Sequence, residues 1–75
     1  MTTHELIARF KAANLHFTLT TVRDNAVMFQ VAVPGQRWEV EVFADGSIEF
    51  ERFVSDADVV ADESQLLKLI DQFKD

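Results

Sequence analysis

Glutamates occupy every second position on both sides of Ala44-Asp45-Gly46, with Glu39 and Glu41 before the turn and Glu49 and Glu51 after it. Four carboxylates gathered on one side of a strand pair are suited to three kinds of chemistry. They can hold a hard cation, which takes roughly six to eight oxygens. One of a pair can serve as a general acid where a cleft raises its pKa. Or the group can receive a basic protein surface, particularly with apolar anchors beside it.

Other chemistries lack their residues. The chain has no cysteine, so disulfides and thiolate metal sites are excluded and the expected compartment is the cytoplasm. Its two glycines, Gly35 and Gly46, each belong to a turn, so no glycine-rich phosphate loop exists. His4 falls in a first helical turn and His16 beside an edge strand, where both read as surface histidines rather than bases or ligands. Asp56, Asp58 and Asp62 resemble a fragment of a calcium loop, but Val60 stands at a ligand position and the required glycine is missing. Helix capping and solubility explain them better. Neither catalysis nor a cofactor is expected.

Charge is divided along the chain. Residues 1–38 carry four basic and two acidic groups (+2), and residues 39–75 carry three basic and eleven acidic (−8), which together make the net −6. An acidic field repels phosphate backbones and steers basic partners, so nucleic acid is not an expected ligand. No apolar run approaches the ~20 residues of a membrane span, and no membrane association is expected. The 75 residues are sufficient for one domain with one core.

The elements that position the carboxylates follow from periodicity. Thr2-Thr3-His4-Glu5 has the form of a capping box, and Leu6, Ile7, Phe10 and Ala13 follow at helical spacing, which predicts a helix over about residues 3–14 closed by a left-handed Asn14. From Phe17 the period becomes two, which predicts a first strand. A second carries Val27, Phe29, Val31 and Val33 on one side, a third runs from Arg37 to Phe43, and a fourth from Ser47 to about Phe53. The segment VSDADVVADES reads as a polar connection in which Val59 and Val60 pin the crossing. Asp62-Glu63-Ser64-Gln65 then opens a second helix with Leu66, Leu67, Leu69, Ile70 and Phe73 as its apolar stripe.

Residues opposite one another in antiparallel strands share a face, so each hairpin fixes a constant sum of paired numbers. A loop at Arg23-Asp24-Asn25 pairs Leu19 with Phe29, a turn at Pro34-Gly35 pairs Phe29 with Val40, and a three-residue turn at Ala44-Asp45-Gly46 pairs Val40 with Phe50. All three keep apolar residues together. The expected fold is therefore α+β, a two-layer α-β-β-β-β-α arrangement with a four-stranded antiparallel meander and both helices on its apolar face. Trp38 and Arg52 form a stacked pair closing one end of the core.

On the opposite face the same register sets Glu41 across from Glu49 and Glu39 across from Glu51. Met28 and Phe43, with Val22 and Ala26, make an apolar corner beside them, and Phe53 lies at the far end. This face is the expected partner-binding surface, formed by Glu39, Glu41, Glu49, Glu51, Phe43, Met28 and Phe53 and directed at a basic protein. A flat sheet encloses too few oxygens to be a good metal site, so no metal ligands are assigned. Two alternatives are a homodimer through the apolar corner or through edge strands one and four, and a small-ligand or metal sensor.

The run PGQRWEVEVFADGSIEFERF resembles the central hairpin of small, mostly uncharacterised bacterial proteins in which PGxRWEVE and DGxIExERF strands recur. Chains of this size, acidity and build also resemble immunity proteins that neutralise toxins of neighbouring cells. The resemblance covers about 20 of the 75 residues and carries no catalytic residues. It implies a non-catalytic, partner-facing sheet of immunity or antitoxin type.

Overall fold

The structure, a computed structural model, describes residues 1–54 and 57–75, with the side chains of residues 57, 58 and 60 outside that description. Helix α1 (Thr3–Ala12) begins where the Thr2 side chain accepts the Glu5 N–H at 3.1 Å. That bond is the first half of the expected capping box. The helix ends two residues short of the sequence estimate, in a Schellman closure: Asn14 N–H donates to the Lys11 carbonyl and Leu15 N–H to the Phe10 carbonyl. Asn14 makes this possible by taking a φ of 58°.

Strands β1 (Phe17–Thr20), β2 (Ala26–Val33), β3 (Gln36–Phe43) and β4 (Ile48–Val54) form an antiparallel meander. Every predicted pairing between β2, β3 and β4 is present, including Val27 with Val42, Val31 with Trp38 and Val40 with Phe50. The turns enforce it. Gly35 at φ 77° occupies the left-handed position after Pro34, and Gly46 at φ 90° closes the Ala44-Asp45-Gly46 turn as a bulge. Thr21, which the register of Leu19 with Phe29 would set opposite Val27, lies beyond the end of β1.

A fifth strand, β5 (Ala57–Ala61), lies antiparallel along β4, with Arg52 opposite Val59 and Phe50 opposite Ala61. The sequence reading had a polar connection here. The aspartates at 56, 58 and 62 disguise a run whose Val59 and Val60 suit a strand, and it is the free edge of β4 that supplies the partner. Val59 is 41% exposed and does not pin a crossing, while Val60 and Asp56 fall where the side chain or the residue lies outside the description. With β5 in place, β4 is no longer an edge, so a homodimer through strands one and four loses one of its two surfaces.

Helix α2 (Glu63–Phe73) starts with a complete capping box, in which Asp62 accepts the Gln65 N–H at 2.9 Å and Gln65 returns a bond to the Asp62 N–H. It lies beside α1, where the Asp75 N–H donates to the Ala13 carbonyl at 2.8 Å. Both helices pack on the same face of the sheet. Leu6 and Phe10 from α1, and Leu66, Leu69 and Ile70 from α2, close over Phe29, Val31, Trp38, Val40, Val42 and Phe50. Phe10, Phe17 and Phe29 form a triangle of rings with centroids 5.5 Å apart. Trp38 meets Phe50 and Phe73 edge-on at 6.0 and 5.7 Å.

The pairing of Trp38 with Arg52 is present, but Gln36 joins them. Its Oε1 accepts from Trp38 Nε1 at 3.0 Å and from Arg52 Nε and a terminal nitrogen at 3.2 and 3.0 Å. The indole N–H, which burial removes from water, is thereby satisfied.

Two outcomes follow from this packing. Phe29 touches both helix-borne and sheet-borne rings, so Phe29→Ala should remove about 3–5 kcal/mol of stability, read as a lowered urea midpoint. Acid should also loosen the termini of turns and helices. The Gln65 N–H and then the Ser64 hydroxyl hold the Asp62 carboxyl below the ordinary carboxylate range, and the Ser47 hydroxyl and N–H do the same for Asp45. A depressed folded-state pKa contributes stability above the ordinary value near ~4 that is lost as pH falls through the folded value. Asp62→Asn should flatten the fall in melting temperature below about pH 4, and an unchanged profile would remove Asp62 from the explanation.

Candidate functional site

The open face of the sheet is the one that faces away from the helices. Its rows run Thr20, Met28, Glu41, Glu49 and then Thr18, Gln30, Glu39, Glu51, with Ala26 and Phe43 at one end and Ala32, Arg37 and Phe53 at the other. The register therefore places all seven expected partner-binding residues on this face. The pleat explains why: with Val40 and Phe50 buried beneath the helices, their neighbours in sequence must point the other way.

The four carboxylates differ in environment. Glu49 is exposed, Glu39 and Glu51 are half-buried, and Glu41 retains only 4% of its surface. An open sheet face would leave all four carboxylates in water, but only Glu49 is fully exposed, and Glu41 is withdrawn from solvent. Arg23, from the loop between β1 and β2, donates its Nε to Glu41 Oε2 at 3.0 Å and places its guanidinium 5.2 Å from the centre of the Phe43 ring. The Asn25 carbonyl accepts the Ala44 N–H at 2.8 Å, tying this loop to the β3–β4 turn and holding Arg23 over the end of the face.

Glu41 is thus a neutralised pair rather than a free charge. A carboxylate this buried needs a partner, because removing it from water costs several kcal/mol without one. Sequence reasoning passed over Arg23. The available signal was its position in the loop adjoining the row that holds Ala26 and Phe43, but a loop side chain has no parity from which to read a direction.

At the far end Arg37 lies 4.4 Å from the centre of the Phe53 ring, its cross-strand neighbour. The two phenylalanines expected as bare apolar anchors are therefore each shared with an arginine of the same chain. Such contacts are worth about 0.5–1 kcal/mol at exposed sites. Between the two Arg–Phe pairs, Arg23, Met28, Glu39, Glu41, Glu49 and Glu51 line a shallow depression of about 380 Å³. Among the described residues, no three His, Cys, Asp or Glu side chains are placed to hold a metal ion. No described helix is long and apolar enough to cross a membrane.

The pairing of Arg23 with Glu41 is testable by itself. Arg23→Ala strands a buried carboxylate and should lower stability by about 1–3 kcal/mol, whereas Arg23→Ala combined with Glu41→Gln should recover part of the loss in the same urea titration. A single variant as stable as the parent would show that solvent, not Arg23, satisfies Glu41. Comparison with protein-family models, with curated proteins and with solved structures finds no match, so the roles of these residues rest on the chemistry of the face alone.

Proposed function

We propose that this chain is a small non-catalytic binding domain whose open sheet face docks a basic protein surface, in the manner of an immunity or antitoxin protein. Its setting would be the cytoplasm, and nucleic acid would be repelled by the net charge of −6. The observation that carries this reading is the way the face holds its own cation: the Arg23 guanidinium lies between the Glu41 carboxylate and the Phe43 ring. A partner's arginine or lysine would meet the same two kinds of group elsewhere on the face, with Glu39, Glu49 and Glu51 as carboxylates and Met28 beside them and Phe53 at the far end as apolar contacts.

Glu41 takes a structural part in this reading, since its charge is already matched. Glu39 and Glu49 supply the steering field.

A pull-down from native lysate at low salt, eluted by a salt step, would supply the partner. Glu39→Lys and Glu49→Lys should then reduce the association rate by about tenfold or more at low ionic strength, with the effect shrinking as salt is added. The melting temperature of the free Glu49→Lys domain should change little, as substitutions at exposed positions usually shift stability by about 0.5 kcal/mol or less. Variants that associate as fast as the parent would place the interface elsewhere.

A further inference from the structure

Asp45-Gly46 is the one place in the chain where an aspartate precedes a glycine. Such a bond is open to a defined covalent change. The glycine amide nitrogen attacks the aspartate Cγ, an N–Cγ bond forms and a carboxyl C–O bond breaks, releasing one water that carries off the amide proton and the carboxyl proton. The five-membered imide then takes up water at either carbonyl. One addition gives back aspartate, and the other leaves isoaspartate, whose main chain runs through Cβ and Cγ. Glycine permits the attack because no Cβ hinders its nitrogen.

In the folded turn both reacting groups are held elsewhere. The Gly46 N–H donates to the Phe43 carbonyl at 2.9 Å, so the proton that must leave is bound inside the turn. Asp45 Oδ1 accepts from the Ser47 N–H at 2.9 Å and from the Ser47 hydroxyl at 2.6 Å. These bonds also keep the carboxyl ionised into more acidic solution than usual, and an ionised carboxylate resists nucleophilic attack. The exit of the turn is tied down as well. The Gly46 carbonyl accepts from the Met1 nitrogen at 3.0 Å, and the Ser47 carbonyl accepts the Phe43 N–H at 2.9 Å. Asp45 itself is exposed, so the water that opens the imide is at hand whenever the turn releases its bonds.

We propose that Asp45-Gly46 is a latent isoaspartate site protected by the closed turn, with Ser47 as the residue that restrains the carboxyl. Conversion would reach well beyond one side chain. Isoaspartate lengthens the main chain by one atom inside the loop that Gly46 closes at a φ of 90°. That loop sets Val42 opposite Ile48 and Glu41 opposite Glu49. Hairpin register depends on loop length, so the converted chain loses the pairing that separates the apolar core from the acidic face. This inference concerns the turn alone and does not depend on the open-face proposal.

The test incubates the full chain, its Ser47→Ala variant and capped peptides of residues 42–49 with and without the same substitution, all at neutral pH. Isoaspartate is read by peptide mapping, since a protease that cleaves before aspartate does not cut before isoaspartate. The folded chain should convert at least about tenfold more slowly than its peptide, because reaction waits on local opening. Ser47→Ala removes a hydrogen bond to a charged group and should raise the folded rate by about tenfold, while the two peptides should convert at similar rates. Neither folded rate should rise with urea until the unfolding transition begins. Converted chain, separated by chromatography, should melt lower and lose the cross-strand proton contacts between Val42 and Ile48. A folded chain that converts as fast as its peptide, or a Ser47→Ala rate equal to the parent's, would overturn the proposal. So would rates that climb with urea in step with global unfolding, which would make whole-domain stability the protection, or a converted chain with the parent's spectrum.

Discussion

The pairing of β2 with β3 and β4 is the constraint on which the rest of the molecule depends. Antiparallel neighbours must share a face, and the two glycine-closed turns leave only one register available, so a single choice sorts every side chain from Ala26 to Val54. Val27, Phe29, Val31, Trp38, Val40, Val42, Ile48 and Phe50 are sent to the helices, and Met28, Glu39, Glu41, Glu49 and Glu51 to the opposite side. A slip of one residue would bury glutamates and expose phenylalanines. The apolar core and the acidic face are therefore two consequences of one arrangement, and neither could be altered without the other.

The acidic face is also more self-contained than a row of solvated carboxylates. Glu41 lies beneath Arg23, and both terminal phenylalanines lie beside arginines. Like charges directly opposite each other on a sheet cost a few tenths of a kcal/mol when hydrated, and pairing one member of the Glu41 and Glu49 row with a guanidinium lowers that repulsion. The Arg23 guanidinium is held by one carboxylate and one ring of this face, and the proposal of a basic partner rests on the same pairing of charge with an apolar surface.

The two sides of the sheet offer different chemistry at different places. The open face is acidic and shallow, whereas the groove beside β1 is apolar, with a lysine and a histidine on its lining. This follows the unequal charge of the two halves of the chain, because β1 and α1 come from the less acidic half while β4, β5 and α2 come from the other.

Alternation, turn residues and helix caps are local properties. That is why the α+β class, the central register, the left-handed Asn14, the Asp62 cap and the identity of the open face could be read directly from residues 1–75. What tertiary structure decided concerns groups without a period of their own. The strand Ala57–Ala61 exists because β4 offers an unpaired edge, and the short run around Val59 and Val60 gives no sign of which neighbour it will meet. Gln36, just before the expected start of the third strand, became the shared acceptor for Trp38 and Arg52 once both were brought to one end of the core. Arg23 reached Glu41 because the backbone bond from Ala44 to Asn25 drew two loops together. Spacing along a chain determines which way a strand residue points, but whether a carboxylate there meets water or a guanidinium depends on loops whose positions only the folded whole can set.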